Sequence, residues 1–448
     1  MGELKPGLVL TSENNKKYTI TKYIDSGTQG DVYEISEAGK KLALKWYPNF
    51  KEETKEKFLL LKNNWPKTKD EKKDERFVWA EDIISTKDGV GYTMKYIDME
   101  KYNNVHWIRD DLYNTKQSIK TSILCRICMN IAEAFHNLHS MGYCYKDISH
   151  NNMVMNINNG DVLIMDIDNV VVNEEKGEVD GTGYFRSPEI VLGLKTANTD
   201  ADRFSLAVWF FYLLVGHHPF DGRLRYDYEQ AHGNRLDDEG FKKNYGSGAL
   251  YIFHPTDKRN NIEKINAKFD AIKTRWENIL PNELKEKFEK TFVRGLPVGM
   301  ATERTNDLEW ATLFNDLSRK IISCKCGSDF FYGSTTCIKC LNSLMQSIIK
   351  LSIMERHQAL DRIIDIKNGD ILSGRQISAL LNQYDPFLKI VFNPTINAYG
   401  MENLSSLIWR YKDPIMQQSE PVQPGDVIQL KKERIIAFIP ESLQIEVL

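Results

Sequence analysis

Tyr145-Lys146-Asp147-Ile148-Ser149-His150-Asn151-Asn152 and, after a short turn, Leu163-Ile164-Met165-Asp166-Ile167-Asp168 are the stretches whose reading decides the fold of this chain. Asp147 precedes Asn152 by five positions, and Asp166 closes an apolar run of strand length. A carboxylate that can orient a hydroxyl, with an Asn and a second carboxylate that can hold Mg²⁺, is the set that phosphoryl transfer from ATP requires. Taken alone, Asp and Asn on either side of a hairpin are equally turn formers, because their side chains hydrogen-bond the local backbone.

The flanking sequence separates the two readings. Upstream, Lys17-Tyr18-Thr19-Ile20-Thr21-Lys22-Tyr23-Ile24 leads into Asp25-Ser26-Gly27-Thr28-Gln29-Gly30-Asp31-Val32-Tyr33-Glu34-Ile35, a glycine turn between two strands with alternating apolar residues. Backbone amides of such a turn can cover phosphates. Leu42-Ala43-Leu44-Lys45-Trp46 is an apolar strand interrupted by one Lys, whose burial is costly without an anionic partner. A phosphate and a Glu would supply one. Downstream follow Gly181-Thr182-Gly183-Tyr184-Phe185-Arg186-Ser187-Pro188-Glu189 and then Asp202, opening Phe204-Ser205-Leu206-Ala207-Val208.

In this order the motifs resemble the eukaryotic-type protein kinases, over roughly residues 15–320. The resemblance implies a bilobal α+β protein-kinase fold, with an N-lobe over 1–98 and a C-lobe over 99–321. It implies that Lys45 holds the α and β phosphates of ATP, that Asp147 accepts the proton of the attacking hydroxyl, and that Asn152 with Asp166 binds Mg²⁺. The resemblance further implies nucleotide contacts at Gly27, Gly30, Val32, Ala43, Lys95 and Ile97, with the adenine held by backbone around Lys95 to Ile97 in Gly91-Tyr92-Thr93-Met94-Lys95-Tyr96-Ile97-Asp98. The carboxylate paired with Lys45 is assigned to Glu56, which lies nearest the apolar face of a helix opened by Glu52 and Glu53, as the macrodipole prefers. Glu189 is expected to pair with Arg304 and fasten the substrate-binding segment. Small-molecule kinases of the aminoglycoside type share the Asp and Asn pattern but not this latch, so the latch favours a protein substrate.

Several positions depart from the pattern. Asp25 replaces the first glycine of the loop and brings a carboxylate toward the phosphates, which predicts modest ATP affinity. Ser149 stands where serine/threonine kinases carry a Lys, with His150 the nearest substitute. Asp168 replaces the glycine of the metal-binding triplet, and a side chain there restricts the backbone, predicting a stiffer, more constantly active conformation. Lys146 presents a point charge where an Arg would present a fork. From Ile167 to Gly181 there is no Ser, Thr or Tyr, and Glu174, Glu175 and Glu178 supply negative charge in place of a phosphate. Activity is therefore expected to need no phosphorylation in that stretch.

A chain of 448 residues suggests two to four domains, and 42% hydrophobic content can bury sizeable cores. Its net charge of −3 offers no electrostatic argument for nucleic acid or an anionic membrane. The N-terminus has no apolar signal region, Pro6 spoils a myristoylation pattern, and the apolar run Phe204 to Val215 is short of the roughly 20 residues that span a bilayer. It reads as a buried central helix of a cytoplasmic protein. Lys67 to Arg76, dense in both signs of charge, reads as an exposed, mobile loop. His217 and His218 read as a helix-end cap rather than metal ligands.

Seven cysteines in a chain of this size do not form a secreted disulfide scaffold. Cys125, Cys128 and Cys144 read as small core residues. Cys324-Lys325-Cys326 and Cys337-Ile338-Lys339-Cys340 are two close pairs whose four thiolates suit a structural Zn²⁺, giving a zinc ribbon over 322–343; disulfides or free thiols are the alternatives. Residues 344–448 are short apolar runs cut by Gly, Pro and Asn turns, the pattern of a small β-sandwich. Gly369-Asp370, Gly374-Arg375, Tyr399 to Ser405 and Pro424-Gly425 resemble a degenerate forkhead-associated domain. That likeness implies a phosphothreonine grip by Arg375, Ser378 and Asn403; a structural or partner-docking role is the alternative.

The kinase motifs, Tyr212-Leu213-Leu214-Val215-Gly216-His217-His218-Pro219-Phe220 and the ribbon together look like bacterial kinases of tellurite-resistance-associated loci. That resemblance implies a von Willebrand A domain protein and a metal-dependent protein phosphatase as partners. Three function classes follow: an active protein kinase acting on Ser/Thr hydroxyls, a nucleotide-binding scaffold without transfer, and a nucleic-acid adaptor built on the ribbon. Against the last stands the lack of a basic, aromatic-interleaved surface near the ribbon, where there is little beyond Lys325 and Lys339.

Overall fold

The computed structural model describes residues 4–26, 30–49, 51–104, 119–174, 182–318 and 321–447, the last stretch without 325, 332–333, 335–336, 338–339, 341–348, 356–357, 367–368, 379–380, 382–384, 397, 432 and 440–442. Two compact units make up the chain. One comprises Met1–Ile119, Arg126–Lys273 and Glu283–Thr312; the other comprises Lys120–Cys125, Thr274–Asn282 and Leu313–Leu448.

In the first unit the strands Val9–Thr11 (β1), Lys17–Ser26 (β2), Asp31–Glu37 (β3), Lys40–Pro48 (β4), Asp82–Thr86 (β5) and Gly89–Lys95 (β6) form an antiparallel sheet in the order β1-β2-β3-β4-β6-β5. Strand alternation sets its two faces. Leu42, Leu44 and Trp46 of β4 enter a core with Tyr18, Ile20, Tyr33, Ile35 and Ile84, while Ala43, Lys45 and Tyr47 take the alternate positions on the other face. Helix α1 (Glu52–Asn63) starts with Glu52 and Glu53 in its first turn and buries Phe58 and Leu61. Phe58 meets the rings of Tyr47 and Tyr92 at centroid distances of 5.0 and 4.9 Å, which ties α1 to the Lys45 face of the sheet.

Helix α2 (Thr121–Ser140) buries one apolar stripe: Leu124, Cys125, Ile127, Cys128, Ile131, Ala132, Phe135 and Leu138. Helix α3 (Thr199–Val215) is apolar nearly all round and is buried accordingly, as a central helix. Its ends are conventional: the Asn198 side chain accepts from the Ala201 amide at 3.0 Å, and Gly216 closes it at φ 80°. Among the described residues no helix is long and apolar enough to cross a membrane.

The charged segment Lys67 to Arg76 is exposed through Lys73 apart from Thr68, but its end is not a mobile loop. Asp74 is buried, and the Arg76 guanidinium grips it with two hydrogen bonds of 2.7 Å. Arg76 also donates to the Asn130 carbonyl at 2.9 Å and to Glu133 at 3.0 Å, and the Asn137 amide donates to Asp74 at 2.8 Å. Mutual pairing, which charge density alone does not reveal, turns these groups inward.

Met153–Met155 (β7) and Val162–Ile164 (β8) form an antiparallel hairpin in the first unit, and Ile321–Ser323 (β9) and Asp329–Phe331 (β10) form a short one in the second. Asp329 caps the first turn of α2. Its carboxylate accepts from the amides of Thr121 and Ser122, the latter at 3.2 Å, and its carbonyl accepts from the Thr121 hydroxyl at 2.8 Å.

Beyond the hairpin lie two antiparallel sheets. One orders Gln358–Ile366, Ile349–Glu355, Leu443–Val447, Ile435–Ile439, Trp409–Lys412 and Glu420–Val422; the other orders Ile371–Ser373, Pro386–Asn393, Ala398–Asn403 and Val427–Gln429. Residues of both, including Ile353, Trp409, Ile436 and Ile445 from the first and Leu388, Ile390, Met401 and Ile428 from the second, share one core, so the expected sandwich architecture is present. Asn403 is buried with its amide donating to the carbonyls of Leu407 (2.8 Å) and Val422 (3.2 Å) and its oxygen accepting from Ser405. Asn403 thus organises its own loop. Ser378 is also buried, and the Arg375 side chain lies outside the described residues.

Candidate active site

The hairpin of β7 and β8 brings the two deciding stretches together, with Ile164 opposite Met153 and the Met165 amide donating to the Asn152 carbonyl at 2.9 Å. Asn152 and Asp166 therefore sit at one end of one hairpin. The Asn152 amide nitrogen donates to the Asp147 carboxylate and to its carbonyl, both at 2.8 Å, which leaves the amide oxygen as the donor for a cation. The other Asp147 oxygen accepts from the Thr182 amide (2.6 Å) and from the Thr182 hydroxyl (2.7 Å).

The backbone around these side chains is strained where they are presented: Lys146 has φ 60° and Asp166 φ 53°, left-handed values unusual for residues with a Cβ. Buried anchors hold it. The Tyr145 amide donates to Asp202 at 2.6 Å, and His139 stands between Asp202 (3.0 Å) and Asp307 (2.8 Å). Burial alone would lower the His139 pKa, but the two carboxylates outweigh it and push the pKa up to about 10, so the imidazole is a cation at neutral pH.

Lys45 extends from β4 to two carboxylates, Asp166 at 3.0 Å and Asp168 at 2.9 Å. Burial works against its charge, and the two acids more than compensate, raising its pKa. Asp168 also accepts from the hydroxyls of Tyr47 (2.7 Å) and Tyr92 (3.3 Å), and its carbonyl accepts from Lys57 of α1. Burial opposes its ionisation, but Lys45 and Tyr47 hold its carboxyl below the usual range. Burial raises Asp166 instead, with the charge of Asp168 adding to the effect and Lys45 opposing it.

The expected partner of Lys45 is corrected here. Glu56 is exposed, and the acids that Lys45 reaches come from the turn after β8. Helix α1 presents Lys57 rather than a Glu toward that turn.

Of the remaining expected nucleotide contacts, Gly27 lies outside the described residues. Gly30 is buried against β4, where an added Cβ would come within 2.7 Å of the Trp46 carbonyl oxygen, so close packing already requires a glycine there. Val32 stands opposite Lys45 in the sheet register and Ala43 opposite Met94. Ile97, with Met94, Tyr102 and Met165, packs on Val78, Val154 and Leu163, while Lys95 is exposed. Asp25 is exposed at the end of β2 and accepts from the Ser26 amide at 2.9 Å.

The latch is formed as expected. Arg304 and Glu189 are fully buried and joined by two hydrogen bonds of 2.7 and 2.9 Å, with Arg304 also donating to the carbonyls of Gly295 and Asp200 at 2.9 Å each. Gly295 is required for it, because a Cβ there would meet the Arg304 Cγ at 2.6 Å. His217 and His218 do not cap α3. They donate to the carbonyls of Asp221 (2.7 Å) and Tyr184 (2.8 Å), and burial lowers the His217 pKa to about 4.

A second candidate centre is the cysteine cluster. The sulfurs of Cys324, Cys326, Cys337 and Cys340 all lie within 4.8 Å of one another, with Cys324 to Cys340 and Cys326 to Cys337 at 3.7 Å. Thiolates about 2.3 Å from a tetrahedral Zn²⁺ stand about 3.8 Å apart, so the donor set fits zinc. At 3.7 Å the paired sulfurs stand well beyond the about 2.05 Å of a disulfide, and Cys125, Cys128 and Cys144 are buried as expected. Among the described residues this is the one group of metal-ligand side chains so assembled.

What sequence reasoning missed is the set around Asp168: Tyr47, Tyr92 and Lys57, together with Thr182 on Asp147. The available signal was the second Asp placed two positions after Asp166 in an apolar context.

A probable inactive serine/threonine-protein kinase of Dictyostelium discoideum is 28% identical over 115 residues, which are 25% of this chain and 10% of that protein. The chain thus spans about a tenth of the length of that relative. The family model for the protein kinase domain matches residues 18–246, just over half of the chain, and with Lys45, Asp147, Asn152 and Asp166 all inside that match, the chain belongs to the protein kinase family, whose domain implies ATP and Mg²⁺.

Proposed function

We propose that this chain is an active protein kinase that transfers the γ-phosphoryl group of ATP to Ser or Thr hydroxyls of a partner protein. The observation that carries the reading is Asp147. Its carboxylate is oriented on one side by the Asn152 amide at 2.8 Å and already receives a hydroxyl, that of Thr182, at 2.7 Å on the other. A substrate hydroxyl offered at that oxygen would be aligned and its proton accepted. Lys45 carries the positive charge that steadies phosphate oxygens, and the Asn152 amide oxygen and the half-exposed Asp166 carboxylate would hold Mg²⁺ through hard oxygen donors. When bound, Mg²⁺-ATP supplies the transferable group. The Glu189–Arg304 latch supports a macromolecular substrate, because it stiffens the segment that follows Thr182.

The finer parts of the reading are of two kinds: the von Willebrand A domain protein and metal-dependent phosphatase as partners, the forkhead-associated-like domain at 344–448 and the lobes at 1–98 and 99–321 rest on resemblance, whereas the zinc ribbon at 322–343 rests on the cysteine spacing, and cytoplasmic location with a protein rather than a nucleic-acid partner rests on composition and charge. A second reading is a nucleotide-binding scaffold that organises the same complex. It is favoured by the Dictyostelium relative, whose name calls it probably inactive.

Incubation with Mg²⁺ and γ-labelled ATP, beside the Asp147→Asn variant, separates them. Label on hydroxyl residues should fall at least about 100-fold in the variant, with mass spectrometry reporting Ser, Thr or Tyr. ATP binding without label on any protein, the von Willebrand A protein included, would favour the scaffold.

A further inference from the structure

We infer that Asp168, and no acid of helix α1, is the residue that positions Lys45. The inference deepens the kinase reading and rests on it for the identity of the ligand that Lys45 awaits. Two carboxylates reach Lys45 at nearly equal distance, but their surroundings differ: the Asp166 side chain is 44% exposed and that of Asp168 is 5% exposed. A half-exposed carboxylate is open to an incoming cation. A buried one must be satisfied by the protein.

Asp168 is satisfied by three donors from two strands, Lys45 at 2.9 Å and Tyr92 at 3.3 Å on one oxygen and Tyr47 at 2.7 Å on the other. Phe58 packs on both tyrosine rings, and Lys57 donates to the Asp168 carbonyl. The carboxylate is therefore the centre of a built, buried network, whereas Glu52, Glu53 and Glu56 are all exposed. Because the acid comes from the turn that also carries Asp166, Lys45 draws its carboxylates from that turn and needs none from α1, which meets the network only through Lys57 and Phe58.

The test compares wild type with Asp168→Asn, Tyr47→Phe and Glu56→Gln. Without nucleotide, the rate at which an amine-reactive acetyl ester modifies Lys45 is followed by mass spectrometry. Losing a charge-assisted partner should speed Lys45 modification about tenfold in Asp168→Asn. Tyr47→Phe, which keeps the charge and loosens its hold, should give about twofold, and keeps the question open to measurement if Asp168→Asn does not fold. Glu56→Gln should match wild type. Calorimetric titration with ATP is then run with and without Mg²⁺. A positioning role weakens both titrations of Asp168→Asn by the same factor, whereas a metal-ligand role weakens the Mg²⁺ titration alone and overturns the inference. Unchanged Lys45 modification in Asp168→Asn and Tyr47→Phe, or acceleration in Glu56→Gln, also overturns it. Failure of the wild type to bind ATP would strike the kinase reading, while the modification rates would still decide which acid holds Lys45.

Discussion

His139 shows what a single side chain contributes through its surroundings. A lone His near the end of a helix says little in sequence, yet here both ring nitrogens face carboxylates, Asp202 and Asp307, in a buried site. Its pKa, raised to about 10 against about 6.5 unfolded, means that its stabilisation is complete below about pH 6.5 and fades as pH rises toward 10. Asp307 has the opposite sign: burial opposes its charge, His139 outweighs that, and its contribution is lost as pH falls through its depressed pKa. Urea denaturation at pH 6, 8 and 10 should show the wild type losing on the order of 4 kcal/mol across that range, with the slope much reduced in His139→Gln. Equal slopes would sink the assignment. Asp147 and Asn152 were legible because their spacing was read together with the flanking motifs; the partner of Lys45 was not, because closeness to the apolar face pointed to Glu56, whereas Asp168 is brought to Lys45 by contact across 123 positions.

At the scale of elements, two joints are worth breaking. The Glu189–Arg304 pair is fully buried, so removing one partner strands a charge; Arg304→Leu or Glu189→Leu should cost about 3–5 kcal/mol in chemical denaturation. Gly295→Ala should destabilise in the same direction by about 1–3 kcal/mol, because its Cβ would displace the Arg304 stem. The second joint is the cap on α2. Asp329 receives the first-turn amides of a helix that begins 208 residues earlier, and Asp329→Ala should cost about 1–2 kcal/mol and speed amide exchange at Thr121 and Ser122. Unaltered exchange there would remove Asp329 from that role. The apolar run of α3 and the apolar strand of β4 were readable from the sequence, whereas the pairing of Ile349–Glu355 with Leu443–Val447 was not. Short apolar runs declare themselves as strands through their neighbours, and those neighbours are distant in sequence.

For the whole molecule, two outcomes bear on how the chain is maintained and started. Metal analysis of purified protein should find one zinc per chain, falling to none in the Cys337→Ser, Cys340→Ser double variant, with lower stability of the second unit because a hairpin this small has little core of its own. A zinc-free wild type of full stability would refute the site. If the proposed transfer activity is found, phosphatase treatment should leave it unchanged, since Ile167 to Gly181 offers no hydroxyl to phosphorylate. An essential phosphate mapped to Thr182 or Tyr184 would overturn that expectation.

By itself the sequence, through motifs that resemble one family in a set order, pointed to the kinase class and the latch, and it marked Asp147, Asn152 and Asp166 as one candidate site, the four-cysteine set and the two-sheet character of the last hundred residues. These are properties of spacing, periodicity and residue chemistry, which are local or recur in a set order. Tertiary structure alone decided which acid Lys45 meets, that Asp74 and Arg76 are drawn inward, that His139 is charged, and that Asp329 caps α2. Each of these depends on a buried charge finding a partner far along the chain, and the cost of burying a charge unpaired selects that partner only once the fold has brought the candidates within reach.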